Sequence, residues 1–556
     1  MNGAPGNGGR GLMADAAMGP GIAKCRLARV LAVVFVLLTA ALGLAWSHSK
    51  LMSQDEMYAF QTYSVPTVGK LVQVQRTWPI SLDPLLYPLL AHAGMKAFGA
   101  GPFALRLPAL LGFLLMQVCL FFFVRNMAGE RAGLLAAAFP ALTATLYYSI
   151  EGRPYGLMLG LYALALLSWQ AATREAGNRH RGWALAGLTA AIAATINAHY
   201  FGILLLVPVC AAEGFRTLQR RRIDWPVVVA IAVGMGSFVA TWPFLKAANE
   251  FRKNYYNSGS VNHHDITRAY RWMFDDSARM HVSGQRLWMV VLVLFAVWLV
   301  RGCARQILKC EVRIPAAEWV LLITLAALPF FGYFLAKFVT HMIEVRYVLG
   351  TMVGISAMVG IVVSPRLRRN GVFAAVISML FVCILGLGVL RIYVEQKSTS
   401  VELASMVQPA EVKAALDANP DGRLYVQDMG AFEEDHTYEP DADVRARMTL
   451  VYSRAEELRW NRHDTMALTA MHMQHFTGLP IVAYEDLRTQ PGEHVFLLFH
   501  TGWDWTDQAF AADGARVRPV GKAMAGDVAG MGFFRPETIA NAKKTMGGDV
   551  AAVGFR

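Results

Sequence analysis

Residues Ala28–Trp46 read ARVLAVVFVLLTAALGLAW, a run in which Arg29 is the one charge. A bilayer core of about 30 Å is crossed by about 20 apolar residues in a helix, so this stretch predicts a membrane anchor. Lys24 and Arg26 precede it, behind a Gly-rich start. A cleaved signal peptide is the rival reading. The run is long for one, and no small-residue cleavage site follows it.

Ten further runs predict spans at about 103–124, 132–149, 155–172, 183–197, 200–214, 226–245, 286–300, 318–337, 346–363 and 372–393. The expectation is an α-helical polytopic membrane protein of about 11 transmembrane helices. The turn Asn197-Ala198-His199 divides what would otherwise be one long helix. Alternate connections are short and basic. They hold Arg125 and Arg131, then Arg174, Arg179 and Arg181, then Arg216 and Arg220 to Arg222. Arg301, Arg305, Lys309 and Arg313 follow, and Arg366, Arg368 and Arg369 close the series. The positive-inside rule places these loops and the N-terminus in the cytoplasm. An odd number of spans then leaves the C-terminal part outside.

Composition agrees. Of 556 residues, 55% are apolar and 17% charged, which excludes an ordinary soluble enzyme and a disordered chain. Residues 1–394 carry 36 Lys+Arg and 16 Asp+Glu, whereas 395–556 carry 16 and 24. The basic excess therefore belongs to loops facing an anionic leaflet, not to nucleic-acid binding. Cys25, Cys303 and Cys310 fall inside, and Cys119, Cys210 and Cys383 within spans. No disulfide framework is expected.

These readings divide the chain into a cytoplasmic tail 1–27, a membrane part 28–394 with a long first outer loop 47–102, and an outer domain 395–556. In the outer domain, Leu424–Val426, Val482–Tyr484 and Val495–Phe499 read as strands, and Asp443–Trp460 and Asp464–Phe476 as helices. They predict a small α/β domain. Thr538–Arg556 is weakly patterned. His463, His472 and His475 read either as a metal set or as surface histidines, and the second reading is favoured.

Chemistry-bearing residues collect in the outer segments. The first loop opens with Ser53-Gln54-Asp55-Glu56 and carries Lys70, Arg76 and Asp83. Adjacent carboxylates at a membrane boundary need a partner or a task. Leu85–Phe98 has the spacing of a helix lying on the membrane surface. The turn Tyr147-Tyr148-Ser149-Ile150-Glu151-Gly152-Arg153-Pro154-Tyr155 packs a carboxylate, a guanidinium and three phenols together. Arg153 could brace Glu151 or hold an anionic headgroup. The loop 246–285 is basic although it faces outward, with Lys246, Arg252, Lys253, Arg268 and Arg271 beside His263, His264 and Asp265. His341, Glu344, Arg346 and Tyr347 cluster at the mouth of the tenth span. Charges gather at one boundary and no internal repeat is found, which favours an enzyme over a transporter or flippase.

The run Phe98-Gly99, Ala104-Leu105-Arg106-Leu107-Pro108, the stretch Ala132–Ala137, the turn Tyr147–Leu157 and Ala198-His199-Tyr200 together resemble the dolichyl-phosphate-mannose-protein mannosyltransferase-like group. This is glycosyltransferase family 39, of the GT-C membrane fold, with bacterial aminoarabinose-transferase-like relatives. The resemblance is strongest over about 51–215. It implies a sugar moved from a polyprenyl-phosphate donor to a glycan, lipid or protein acceptor at the outer face of a bacterial inner (plasma) membrane, with the C-terminal domain periplasmic or extracellular. By it, Asp55 matches the family's first-loop acidic residue, with Glu56 beside it as the second catalytic candidate. Arg153, Arg346, Lys70 and Arg76 are then the candidates for the donor phosphate. Asp83, Tyr147, Glu151, Tyr155, His199, Tyr200 and Tyr347 are the candidates for the rest of the substrate. Transfer could be metal-free or assisted by a divalent metal, with His263, His264 and Asp265 the candidate ligands. Many members carry His-Pro-Pro where this chain reads Asp83-Pro84-Leu85.

Overall fold

In the computed structural model the run Ala28–Trp46 lies within one helix, α1 (Pro20–Ser49). The structure describes residues 20–174, 180–254, 261–274, 285–309, 312–406, 408, 410–419, 421–499, 505–522 and 548–555. The start before residue 20, the side chains of Lys24, Cys25 and Arg26, and Arg179, Cys310 and residues 538–547 lie outside the described residues.

The first outer loop folds into α2 (Gln54–Tyr63), α3 (Val68–Thr77) and α4 (Leu86–Phe98). Tyr87, Ala91 and Met95 of α4 are buried in one cluster with Met57 of α2 and Leu105. There follow α5 (Pro102–Ala128), α6 (Glu130–Ala138), α7 (Tyr155–Arg174), α8 (Arg181–Ala198) and α9 (Leu206–Arg220). Next are α10 (Trp225–Gly236), α11 (Phe238–Phe251), α12 (His264–Phe274) and α13 (Gln285–Lys309). The membrane part ends with α14 (Ala316–Ala326), α15 (Leu328–Leu335), α16 (Thr351–Leu367) and α17 (Asn370–Met406).

Among the described residues seven helices are long and apolar enough to cross a membrane. The count is eight if Ala316–Ala326 and Leu328–Thr340, bent by 54°, form one span. Three of the eleven expected spans fall short. The span 183–197 is the 18-residue α8, rich in Ala and Thr. The span 346–363 is the 17-residue α16, which starts only at Thr351 and leaves Arg346 and Tyr347 in a 3-10 turn at its mouth. The span 132–149 is not one helix. After α6 it continues as 3-10 turns, Phe139–Leu142 and Ala144–Ser149. Pro140 lies in the first of them and Thr143, extended, separates the two. Freed carbonyls at membrane depth need donors. Arg391 of α17 supplies them, donating to Ala141 O at 3.0 Å and Thr143 O at 3.1 Å. Trp46 of α1 in turn donates to Glu395 of α17 at 2.8 Å.

Helices α5 and α7 pack backbone to backbone. A Cβ on Gly112 would stand 2.2 Å from Leu157 Cα, and one on Gly160 would stand 2.2 Å from Gly112 O. With Gly156 four residues before Gly160, this is the small-residue spacing that membrane helices use for close approach. The contact fixes the turn 150–154, which leads into α7.

Beyond α17 come α18 (Ala410–Asp417), β1 (Leu424–Val426), α19 (Met429–Tyr438), α20 (Ala442–Arg447) and β2 (Met448–Tyr452). Then follow α21 (Thr465–Met473), β3 (Ile481–Ala483), β4 (Gly492–Phe499), α22 (Trp505–Ala512), β5 (Arg516–Lys522) and β6 (Gly548–Phe555). The sheet order is β3-β2-β1-β4-β6-β5. The first four strands are parallel, while β6 runs antiparallel to β4 and β5.

Two expectations are corrected here. The helix expected at Asp443–Trp460 is interrupted by β2, whose Met448 to Val451 are buried. Leu424 pairs with Met448 on one side and Leu450 with Ile481 on the other, so long-range pairing overrides the helix-forming flanks. The weakly patterned tail contains β6, ordered by ladders on both edges. In addition α17 runs past Val394 without a break.

Replacing Gly160 by Val should force α5 and α7 apart at a cost of about 1–3 kcal/mol, as overpacking does in well-filled cores. The check is thermal stability of the detergent-purified protein by size-exclusion chromatography. A variant melting with the parent would remove this contact from the framework.

Candidate active site

Four segments distant in sequence meet beside α2: the end of α1, the loop around Asp83, the turn 150–155 and the segment 344–348. Helix α2 begins after Ser53, so Asp55 and Glu56 sit in its first turn, where the helix dipole favours carboxylates. Their side chains part there. Asp55 meets Arg346 at 3.1 Å, and these two side chains stay 37% and 32% exposed. The Glu56 side chain is fully buried.

Glu56 is satisfied on every side. Lys50 Nζ donates at 2.5 Å and Arg106 Nε at 2.7 Å, with Arg106 Nη2 at 3.0 Å. The Ser53 N–H adds 3.0 Å and the Gly152 N–H 2.6 Å. Arg106 also donates to the carbonyls of Ser47, Lys50 and Leu51. Burial would raise the Glu56 pKa, but Lys50 and Arg106 outweigh it and hold the carboxyl far below its ordinary range. Expected as the second catalytic candidate, Glu56 is found as a brace that joins α1, α2, α5 and the turn 150–154.

Arg153 does not pair with Glu151. Its guanidinium meets Asp83 Oδ2 at 3.2 Å and Ser81 Oγ at 3.1 Å. Asp83 also accepts from Tyr63 and Ser81, at 2.9 and 3.0 Å. Asp83 therefore serves as the counter-ion that aims Arg153, whose Nε stays buried and unbonded. Burial raises the Asp55 pKa, and Arg153 and Arg346 reverse this and bring it below the usual carboxylate value. Asp55 is ionised, accessible and held by a cation.

An aromatic wall completes the corner. Arg346 lies over the rings of Tyr155 and Tyr347, at 5.8 and 6.0 Å. Tyr347 stacks on Phe201 at 4.3 Å and stands 5.1 Å from His199. His199 Nδ1 accepts from the Phe201 N–H, and burial pushes its imidazole down to about 4, so it is neutral. Tyr148 is 5.6 Å from Tyr155, and Tyr147 lies against Trp46 and under Lys50. Tyr200 is half-buried beside His199.

Several expected residues go elsewhere. Lys70 covers the ring of Trp78 at 4.9 Å, and Trp78 stacks on His475 of the outer domain at 4.5 Å. Arg76 is exposed on α3. Neither makes an ion pair or hydrogen bond with the Asp55–Arg346 corner among the described residues. The His263 and His264 rings lie tilted against each other at 4.1 Å, while Asp265 pairs with Arg268 at 2.8 Å and accepts from the Asn262 N–H. Among the described residues no three His, Cys, Asp or Glu side chains are grouped to hold a metal ion. His472 Nδ1 donates to Pro79 O at 3.0 Å, and His475, exposed as expected, stacks on Trp78, so both stand at the junction with the first loop. The same junction has the Met52 N–H donating to Tyr438 Oη at 2.9 Å, and Phe251 against His472.

Lys50, Arg106, Ser81 and Tyr63 are the neighbours of this corner that the sequence reading left out. Arg106 carried a signal: a charge in an otherwise apolar helix start is costly unless it has work.

Residues 83–245 match the family model described as dolichyl-phosphate-mannose-protein mannosyltransferase. No curated protein matches the sequence. Among solved structures the chain is similar to ArnT from Cupriavidus metallidurans bound to undecaprenyl phosphate. Identity is 13% over 94% of this chain and 97% of that one, with a TM-score of 0.57. The apo state of ArnT gives 14% identity over 93% and 97%, with the same score. The fold is thus shared nearly end to end, outer domain included.

Arg106→Ala should destabilise the protein by about 3–5 kcal/mol, because it takes from the buried Glu56 charge one of its two cations and breaks the tie to α5. Asp55→Asn, at an accessible pair, should leave the melting temperature nearly unchanged. Melting curves of both purified variants check this, and a stable Arg106→Ala protein would show that Glu56 is not the brace.

Proposed function

We infer from the family match and the shared fold that this chain is a membrane glycosyltransferase that takes its sugar from a lipid-phosphate-linked donor. The observation that carries the reading is the Asp55–Arg346 pair: an accessible ionised carboxylate held against a guanidinium at the mouth of a membrane domain. Sugar transfer from a glycosyl phosphate needs a positioned acceptor, a proton acceptor and a cation for the leaving phosphate. Asp55 takes the proton of the acceptor hydroxyl as that oxygen attacks the anomeric carbon. The bond from that carbon to the phosphate oxygen breaks, and its electron pair stays on the phosphate. Arg346 holds that phosphate, with Arg153 behind it. Both have a buried Nε–H with no partner, a spare donor for an anionic oxygen. Tyr155, His199, Tyr200 and Tyr347 supply the wall for the sugar, with Tyr147 at its edge.

The donor is a polyprenyl phosphate carrying a hexose or a pentose, and the acceptor a glycan, lipid or protein. The tail 1–27 is cytoplasmic, 28–394 is the catalytic membrane part, and 395–556 lies at the outer face of a bacterial inner membrane. No resident metal is required by this scheme. The outer domain shapes acceptor access rather than performing chemistry. Tyr438 and His472 tie it to the loop that carries Asp55.

With the full chain in nanodiscs and a synthetic polyprenyl-phosphate-linked hexose or pentose, release of polyprenyl phosphate should require Asp55. Asp55→Asn should abolish it while the protein stays folded. Arg346→Ala should weaken donor use more than acceptor use, by about 2–5 kcal/mol for a desolvated charge pair. Near wild-type turnover of Asp55→Asn would sink the assignment. Movement of the intact donor across vesicles without any release would make the chain a transporter.

A further inference from the structure

The turn 150–155 contains one carboxyl that the mechanism above does not use. Glu151 is buried, and its Oε2 has no hydrogen-bond partner. The turn fixes it there. The Gly152 N–H is tied to Glu56, and the Arg153 N–H donates to the Glu151 carbonyl at 2.7 Å. A side chain at 152 would stand 2.5 Å from Leu105 Cγ, so the turn lies flat against α5. The turn cannot swing Glu151 out to water without breaking the Glu56 brace.

Cations surround Glu151, yet each is committed. Lys50 and Arg106 are bonded to Glu56, Arg153 to Asp83 and Arg346 to Asp55. Arg346 and Lys50 act on Glu151 favourably, and Glu56 and Asp55 act against its ionisation. Tyr87 of α4 also lies in its field, and it is a neutral phenol. His199 across the corner is neutral as well. Glu56, Asp83 and Asp55 each have a counter-ion, whereas the Glu151 carboxyl has none among the described residues. A carboxyl so placed is more stable with its proton than without it.

The count of charge then gains a meaning. With Glu151 neutral, the four cations Lys50, Arg106, Arg153 and Arg346 outnumber by one the three carboxylates they are paired with, Asp55, Glu56 and Asp83. A glycosyl phosphodiester carries one negative charge. An ionised Glu151 cancels that surplus and sets an unpaired carboxylate against the phosphate.

Resting on the proposed donor class, we propose that protonated Glu151 is a ligand of the donor phosphodiester: its O–H donates to a phosphate oxygen, and its ionisation closes the site to the donor. Burial pushes the carboxyl up to about 7, so the gate lies near neutral pH. The sign follows. Below that value Glu151 holds its proton and the donor binds. Above it the carboxylate repels the phosphate and binding weakens, toward about tenfold for each further pH unit, as one linked proton requires.

The test uses the full chain in nanodiscs and a synthetic polyprenyl methyl phosphate, a phosphodiester whose single charge does not change across the range. Binding is measured from about pH 5.5 to pH 8.5, a window in which a linked carboxyl of this kind titrates. The wild type should lose affinity on the alkaline side. Glu151→Gln keeps a donor but cannot ionise, so its affinity should stay flat across the range. Glu151→Asp, which still ionises, should restore a pH dependence. The same alkaline loss in Glu151→Gln, or a flat wild-type profile, would overturn the proposal. No binding of the phosphodiester by any of these folded proteins at any pH would instead overturn the donor class itself.

Discussion

The architecture depends on one buried ion cluster, Glu56 with Arg106 and Lys50. Glu56 receives donors from the end of α1, from its own helix start, from α5 and from the turn before α7. A buried pair of this kind adds little net stability over apolar packing, yet removing one member is expensive. Its effect is therefore positional. The bond from Gly152 sets the turn, and the turn sets Glu151 and Arg153. The first turn of α2 in turn presents Asp55 outward because its neighbour is anchored inward. Two adjacent carboxylates thus take opposite tasks: Glu56 holds the framework, and Asp55 stays half-accessible at the mouth.

The second constraint is glycine-mediated contact of α5 with α7. Gly112, Gly156 and Gly160 let two backbones touch where any larger residue would separate them. Around this rigid pair the membrane part tolerates irregular segments: the broken run 139–149, the bent pair α14–α15 and the 3-10 turn at 345–348. Each irregular piece lies beside the corner that holds Asp55 or ties a piece that does. Arg391 fills the carbonyls freed by the break at Pro140, so one α17 residue replaces the helical bonds lost in another segment.

Much of this was legible in the sequence, for definable reasons. Long apolar runs and basic short loops announce a polytopic membrane protein. The crowding of Glu151, Arg153 and three tyrosines into one turn marks the candidate site, because polar groups gathered at a membrane boundary need partners. The partners themselves were not legible. Arg153 pairs with Asp83, seventy positions away, rather than with Glu151 two residues before it. Local spacing favours the near partner, and only the packing of α2 to α4 brings the distant one. The same limit hid β2. Met448 to Tyr452 is short and flanked by helix formers, and only its two parallel neighbours make it a strand. Lys70 and Arg76 were drawn into the phosphate set because they shared a loop with Asp55. In the fold that loop turns through two further helices and delivers Lys70 to Trp78 instead.

Helix α17 is 37 residues long. At the usual rise it measures ~55 Å, against a hydrocarbon core of about 30 Å. Roughly a third or more of it therefore stands clear of the apolar layer as a mast leading to the outer domain. A continuous helix is a stiff gear as well as a spacer: each residue of it adds about 1.5 Å of height and about 100° of rotation. The height and heading of the outer domain above the Asp55 corner are thus set by residue number along α17. The clearance beneath that domain is a length written into the chain.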